Sequence, residues 1–312
     1  MKVLVTGGAG FIGSHVADAL LAAGHEVIVL DDLSTGRREN VPAGARFVEG
    51  DLRDETCVER LFAEEGPEVV CHQAAQTSVS VSTREPIRDA DINVLGSLRL
   101  LEACRRHGTA RFVFASTGGA IYGEVPEGKR ADESWAPRPL SPYACSKLAF
   151  EAYLAAYRSE HGMPYTILRY ANVYGPRQDP HGEAGVVAIF SQRLAAGEPI
   201  RINARREVGD AGCVRDYVYV RDAVRANVLA VEGKLSATVL NVGTGRATTT
   251  AALADAIEAA LGVRAERTFG PRRPGDVERS VLEPHPELTA HGEPTPLEEG
   301  IAETARWFAA RR

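Results

Sequence analysis

The sequence predicts an α/β protein, a doubly wound parallel sheet followed by a smaller C-terminal α/β lobe. Three observations carry this. Through the first half, short β-rich runs alternate with longer helical stretches, and such a repeat lies down as a parallel sheet with helices on both faces. Each helical stretch closes on a glycine, a common stop just past the last turn. After about Gly175, Pro and Gly become frequent and the alternation loosens. Residues 1–174 therefore read as the sheet domain and 175–312 as the lobe.

In chain order, apolar runs end at Val5, Leu30, Val48, Cys71, Ala115 and Leu168. Between them Ile12–Ala23 closes on Gly24, Thr56–Glu65 on Gly66, Asp91–Arg106 on His107-Gly108, and Pro142–His161 on Gly162. Val239–Val242 reads as a strand returning to the main sheet, within a stretch of about 217–245 that goes back with it. Ligands on such a sheet sit beyond the carboxyl ends of its strands, so the chemistry is sought there.

Composition excludes several classes of function. The 36 basic and 42 acidic residues leave a net charge of −6, which argues against broad electrostatic binding of nucleic acid. No apolar run approaches the roughly 20 residues that span a bilayer, and MKVLVTGG enters a strand at once rather than a signal peptide. A cytoplasmic protein with no membrane partner is expected. Five cysteines (Cys57, Cys71, Cys104, Cys145, Cys213) contain no C-x-x-C pair, so neither a disulfide framework nor a metal site is predicted.

The first strand runs into Thr6-Gly7-Gly8-Ala9-Gly10-Phe11-Ile12-Gly13 and then a helix. Glycines at 7, 10 and 13 permit a tight turn, close backbone approach to a pyrophosphate, and close helix–strand packing; the helix N-terminus offers free N–H groups to the anion. Asp31 ends the next strand, placed to accept from a ribose 2′-hydroxyl and to repel a 2′-phosphate, which favours NAD over NADP. Asp32 is the alternative for that role. Asp51, after the third strand, reads equally as an adenine contact or an ordinary turn acid.

With His72-Gln73-Ala74-Ala75, Asn93, Ser116-Thr117, Tyr143-Ala144-Cys145-Ser146-Lys147 and Arg169-Tyr170-Ala171-Asn172-Val173-Tyr174-Gly175-Pro176-Arg177 following in order, the chain resembles the extended short-chain dehydrogenase/reductase family. Within it the chain is most similar to the nucleotide-sugar epimerases that act on UDP-hexoses. The resemblance runs from Met1 to about Ser280. It implies a Rossmann domain holding NAD through the glycine turn and Phe11, Ile12, Asp31, Asp32, Ser34, Gly36, Asp51, Leu52, Gln73, Ala74, Ala75, Asn93, Ser116, Tyr143, Lys147 and Tyr170.

Tyr143 and Lys147 lie four apart, on one face of a helix opened by Ser141-Pro142. A phenol with an ordinary pKa near 10 is a poor base at neutral pH. The Lys147 ammonium, the helix N-terminus and the nicotinamide of NAD⁺ each favour phenolate, so a lowered Tyr143 pKa is expected. Only four of the 36 basic residues are lysines, so a lysine at this position stands out against a surface charge made by default from arginine.

The resemblance further implies that Thr117 shares the sugar 4-hydroxyl proton with Tyr143. Related dehydratases carry an acid pair directly after this threonine; here Gly118-Gly119-Ala120 follows. Arg215 and Arg273 are implied as the diphosphate clamp, Asn172 as an amide on the diphosphate, Asp276 as the uridine ribose partner, and Val187 as a further substrate contact. Ser280 falls where the family gates the C2 substituent, and its small side chain leaves room for an N-acetyl group. The implied activity is NAD-dependent 4-epimerisation of UDP-glucose and UDP-galactose, with UDP-N-acetylhexosamines admitted, through a 4-keto intermediate. The other readings are UDP-glucuronate 4-epimerisation, a dehydratase or reductase outcome, or a non-catalytic NAD-sensing regulator. A homodimer is implied, in which Asp91–Arg106 and Pro142–His161 pair as a four-helix bundle.

Overall fold

The computed structural model describes residues 1–181, 185–273 and 276–311, so Pro274 and Gly275 lie outside the described residues. Six strands, β1 (Lys2–Thr6), β2 (Glu26–Asp31), β3 (Arg46–Glu49), β4 (Val69–His72), β5 (Arg111–Thr117) and β6 (Tyr165–Tyr170), join Val239–Val242 in one parallel sheet. Its order is Val239–Val242, β6, β5, β4, β1, β2, β3. The expected return of a lobe strand is thus observed, and the fold is the doubly wound one.

Why these runs are strands is visible in their two faces. Val3 and Val5, Val27 and Val29, Val113 and Ala115 enter one apolar core, under the helices Phe11–Ala22 and Val220–Val231. Leu4, Ile28, Leu30, Phe112 and Phe114 enter the other, under Glu55–Glu65, Ser97–His107 and Pro142–His161. Strands apolar on both faces are what a sheet covered twice requires.

The helix expected over Asp91–Arg106 is built differently. A short helix, Pro86–Ala90, begins earlier with Pro at its first position, a π-helical turn spans Asp91–Gly96, and the α-helix resumes at Ser97–His107. The missed start signal is Pro86. The π turn has no sequence signature of its own, because its residues continue the apolar spacing.

In the lobe, Val186–Ala195, Thr250–Leu261 and Leu297–Ala309 share a third core. Tyr217–Tyr219 pairs with Asn172–Tyr174 rather than with the main sheet, so only part of 217–245 rejoins that sheet. Val214–Arg215 lies between Thr248–Thr249 and Arg279–Ser280, with Ser280 in register beside Arg215.

Candidate active site

The strand order reverses between β1 and β4, the crevice where ligands sit in such sheets. Two backbone segments meet there too closely for side chains. Gly7 has φ +68°, and a Cβ on it would come within 2.7 Å of the Ala74 nitrogen. A Cβ on Gly13 would overlap the Gly7 carbonyl. The helix Phe11–Ala22 starts with no side-chain cap, so its first N–H groups face the crevice without an internal acceptor, as a pyrophosphate site requires. The cradle fits a dinucleotide.

Around it, Asp31 is buried and accepts from the Ala9 and Leu33 amides, both at 2.9 Å. Burial pushes its carboxyl up, against those two hydrogen bonds. Asp31 thus also ties the glycine turn to β2. Gly36 is needed beside it, since a Cβ there would lie 2.7 Å from Asp31 Oδ1. Asp32 is exposed and accepts from the amide and hydroxyl of Ser34 at 2.9 and 2.6 Å. Asp51, beside the buried Leu52, is engaged by Arg53 at 2.6–3.1 Å, which holds its carboxyl low.

At the end of β4, the Gln73 amide donates to Asn227 Oδ1 (2.8 Å), and Asn227 Nδ2 donates to the Tyr170 hydroxyl (2.6 Å). Tyr170 in turn donates to Gln73 Oε1 (3.3 Å), and burial pushes its phenol up. Ala74, followed by the half-buried Ala75, donates its amide to Thr6 Oγ1 (3.3 Å). The Asn93 amide is consumed inside the protein: it exchanges hydrogen bonds with the Gln76 backbone and donates to Asp89 (3.0 Å). Asn93 thereby ties the loop after β4 to the π turn.

The two hydroxyls at the end of β5 separate cleanly. Ser116 donates to Glu151, whereas the Thr117 hydroxyl lies beside Tyr143. Lys147, one turn on from Tyr143, is 4% exposed, donates to the Ala115 carbonyl at 2.9 Å, and lies 4.8 Å over the Phe114 ring. Burial lowers its pKa to about 8, opposed by Asp89 and then Glu151. The Tyr143 pKa does not fall as expected. Burial pushes it up to about 12, the neighbouring Thr117 hydroxyl opposes this, and Asp89 adds to it. The physical reason is burial, which outweighs what the chain alone sets against it, while the nicotinamide belongs to the cofactor and not to the chain.

Sequence reasoning missed the polar groups behind this pair. Arg169 grips Glu151 through Nε at 3.1 and 3.2 Å and through Nη2 at 2.5 Å, with both side chains under 10% exposed. Arg169 Nη1 donates to the Tyr122 hydroxyl (2.8 Å), which donates to Asn241 Oδ1 (2.9 Å). Glu151 had a signal, lying one turn past Lys147 on the same helix face.

On the substrate side, a Cβ on Gly119 would lie 3.7 Å from Asn172 Nδ2 and 3.9 Å from Thr117 Oγ1. Thr117 and Asn172 thus border one space that Gly119 leaves open. Asn172 Nδ2 also donates to the Asp216 carbonyl (3.1 Å). Neighbouring arginines are committed: Arg206 and Arg272 to Glu278, and Arg205 to Glu127. Arg215 donates only to the Val214 carbonyl (3.1 Å), and Arg273 is exposed; neither forms an ion pair among the described residues. The arginines expected to clamp a diphosphate are those left uncommitted. Asp276 is half-buried and donates its amide to the Arg273 carbonyl (3.3 Å). The Val187 side chain sits in the lobe core at 1% exposure, which leaves only its backbone for a ligand. Ser280 is 1% exposed and its hydroxyl has no hydrogen-bond partner among the described residues.

Comparison with known proteins decides the family: the sequence matches the NAD-dependent epimerase/dehydratase family model over residues 3–243. The chain belongs to that family. It is 45% identical over 315 residues to UDP-glucose 4-epimerase of Mycolicibacterium smegmatis, covering 99% of this chain and 98% of that one. Among solved structures, this epimerase-family chain is 56% identical to the Thermus thermophilus UDP-glucose 4-epimerase in complex with NAD, with 99% of each chain covered and a TM-score of 0.95. It is 47% identical to the Thermotoga maritima UDP-glucose 4-epimerase with UDP-glucose, over 100% and 99% of the two chains, TM-score 0.93. The expected fold, family and NAD dependence are borne out. No helix among the described residues is long and apolar enough to cross a membrane.

Proposed function

We propose that this epimerase-family chain is an NAD-dependent UDP-hexose 4-epimerase, an isomerase with Tyr143 as its base. The observation that carries the reading is the placement of Tyr143 beside Thr117 at the end of β5, one turn from the buried Lys147 that donates to the Ala115 carbonyl, next to the glycine cradle. NAD, when bound, supplies the oxidation and re-reduction at sugar C4.

The chain's own residues handle the proton and the substrate. Tyr143 accepts the 4-hydroxyl proton, relayed through or shared with Thr117, and Lys147 holds the phenolate by its charge. Arg215 and Arg273 bind the diphosphate, Asn172 supports it, and Asp276 takes the ribose. The resulting 4-ketose turns about its bond to the diphosphate and presents its other face, and Tyr143 returns the proton. Gly118 and Gly119 give no acid to eliminate water, which weighs against a dehydratase. Tyr143 and Lys147 together weigh against a non-catalytic regulator.

Five free thiols suit a reducing cytoplasm. The exposed Leu95 and Tyr153, at 48% and 43%, lie on the two segments that a homodimer would bury; a monomer mass in sedimentation would remove that part of the proposal. The substrate is tested by offering UDP-galactose, UDP-N-acetylgalactosamine and UDP-glucuronate to the purified protein with no added NAD. UDP-glucose and UDP-N-acetylglucosamine are the expected products. Ser280→Tyr fills the buried space at the C2 gate and is expected to cut turnover of the N-acetylated sugar at least about tenfold, the smallest effect of a steric mismatch in a pocket, while UDP-galactose still turns over. Conversion of UDP-glucuronate alone would overturn the assignment.

A further inference from the structure

Asp89 is fully buried beside the proposed proton-handling pair, and only neutral groups hold it. Its Oδ1 accepts from Gln76 Nε2 (2.7 Å) and Asn93 Nδ2 (3.0 Å), and its Oδ2 from Ser146 Oγ (2.7 Å). The three donors come from three elements: the loop after β4, the π turn Asp91–Gly96, and the helix Pro142–His161. Ser146 stands between Tyr143 and Lys147 on that helix.

The cations nearby are committed elsewhere. On Asp89's own helix, Arg88 is exposed and pairs with Glu85. In the π turn, Asp91 faces Arg53 and Arg99. On the helix Val79–Arg84, Arg84 is exposed. Arg169 balances Glu151. His72 in β4 is neutral, since burial lowers its pKa to about 3; its Nε2 and Nδ1 meet Ser97 and Thr6. Lys147 and Asp89 are left as opposite charges outside any ion pair among the described residues; Asp89 acts on Lys147 ahead of Glu151, which Arg169 already balances, and a buried charge needs a counter-charge.

We propose that Asp89 is a positioning residue for the Tyr143–Lys147 pair: it clamps the catalytic helix to the loop after β4 and to the π turn, and its charge balances the Lys147 ammonium. The inference rests on the reading of Tyr143 and Lys147 as the proton-handling pair. The Asp89 charge holds the protons of both Tyr143 and Lys147 more tightly. Removing a nearby negative charge eases each proton loss. Both flanks of the kcat–pH profile therefore move to lower pH.

The test compares kcat against pH for UDP-galactose turnover by NAD-loaded parent, Asp89→Asn and Ser146→Ala, each with its melting temperature. Asp89→Asn keeps shape and removes charge; its profile is expected to move to lower pH by on the order of one unit. Ser146→Ala removes one hydrogen bond but keeps the charge, so its profile stays in place. If the amide variant does not fold, Asp89→Ser, which leaves room for a water among the three donors, carries the same expectation. An Asp89 variant whose profile superimposes on the parent's, or is scaled down equally at every pH, overturns the proposal. A parent that epimerises no UDP-hexose overturns the underlying reading instead.

Discussion

Tyr143→Phe is expected to lower kcat for UDP-galactose epimerisation by on the order of 10²–10⁴, the usual worth of a positioned acid–base group. The variant removes one oxygen from a half-buried ring and leaves the cradle of Gly7, Ala74 and Gly13 intact. Bound NAD and melting temperature are therefore expected to match the parent. Thr117 keeps its hydroxyl but loses the neighbouring phenol, and a threonine hydroxyl by itself is no base near neutral pH. Kinetics of the purified variant, with its NAD content measured after denaturation, check this. A Phe variant as fast as the parent removes Tyr143 from the chemistry. A variant that has lost NAD assigns the residue to binding.

The second large effect is on stability. Arg169→Met is expected to destabilise the fold by about 3–5 kcal/mol, because it leaves the Glu151 carboxylate buried and unpaired. That corresponds to a fall of roughly 10 °C in melting temperature for a chain of this size. Three guanidinium contacts to Glu151 and one to Tyr122 are lost together. Glu151→Leu in the same chain removes the stranded charge, so the double variant is expected to melt well above Arg169→Met. Calorimetry of the two variants and the parent decides it, and a single variant that melts with the parent contradicts a structural ion pair.

What the sequence disclosed and what it hid divide along physical lines. Strands such as β1 and β5 were legible because residues two apart face the same core, and the glycine turn because backbone contact tolerates no side chain. Tyr143 and Lys147 were legible because helical spacing is local. The groups that support them were not. Asn227 reaches Cys71 and Gln73 from a helix more than 150 residues away, and Asp89 finds Ser146 across 57 positions. Nothing in the local pattern of either residue distinguishes it from a surface polar group. The downward shift expected for the Tyr143 phenol failed for a related reason: burial is set by the folded surroundings, and part of the compensating charge is not in the chain. The π turn was hidden because its residues keep the apolar spacing of an ordinary helix.

The account holds that Tyr143 exchanges the oxygen-bound proton of the sugar and leaves the hydrogen on C4 to travel within the site. UDP-galactose carrying deuterium at C4, converted by the purified protein in ordinary water, separates the two hydrogens. The predicted result is UDP-glucose that retains the deuterium at C4. Loss of the label to solvent would mean that a residue pulls a proton from carbon, and the proposed mechanism would be wrong.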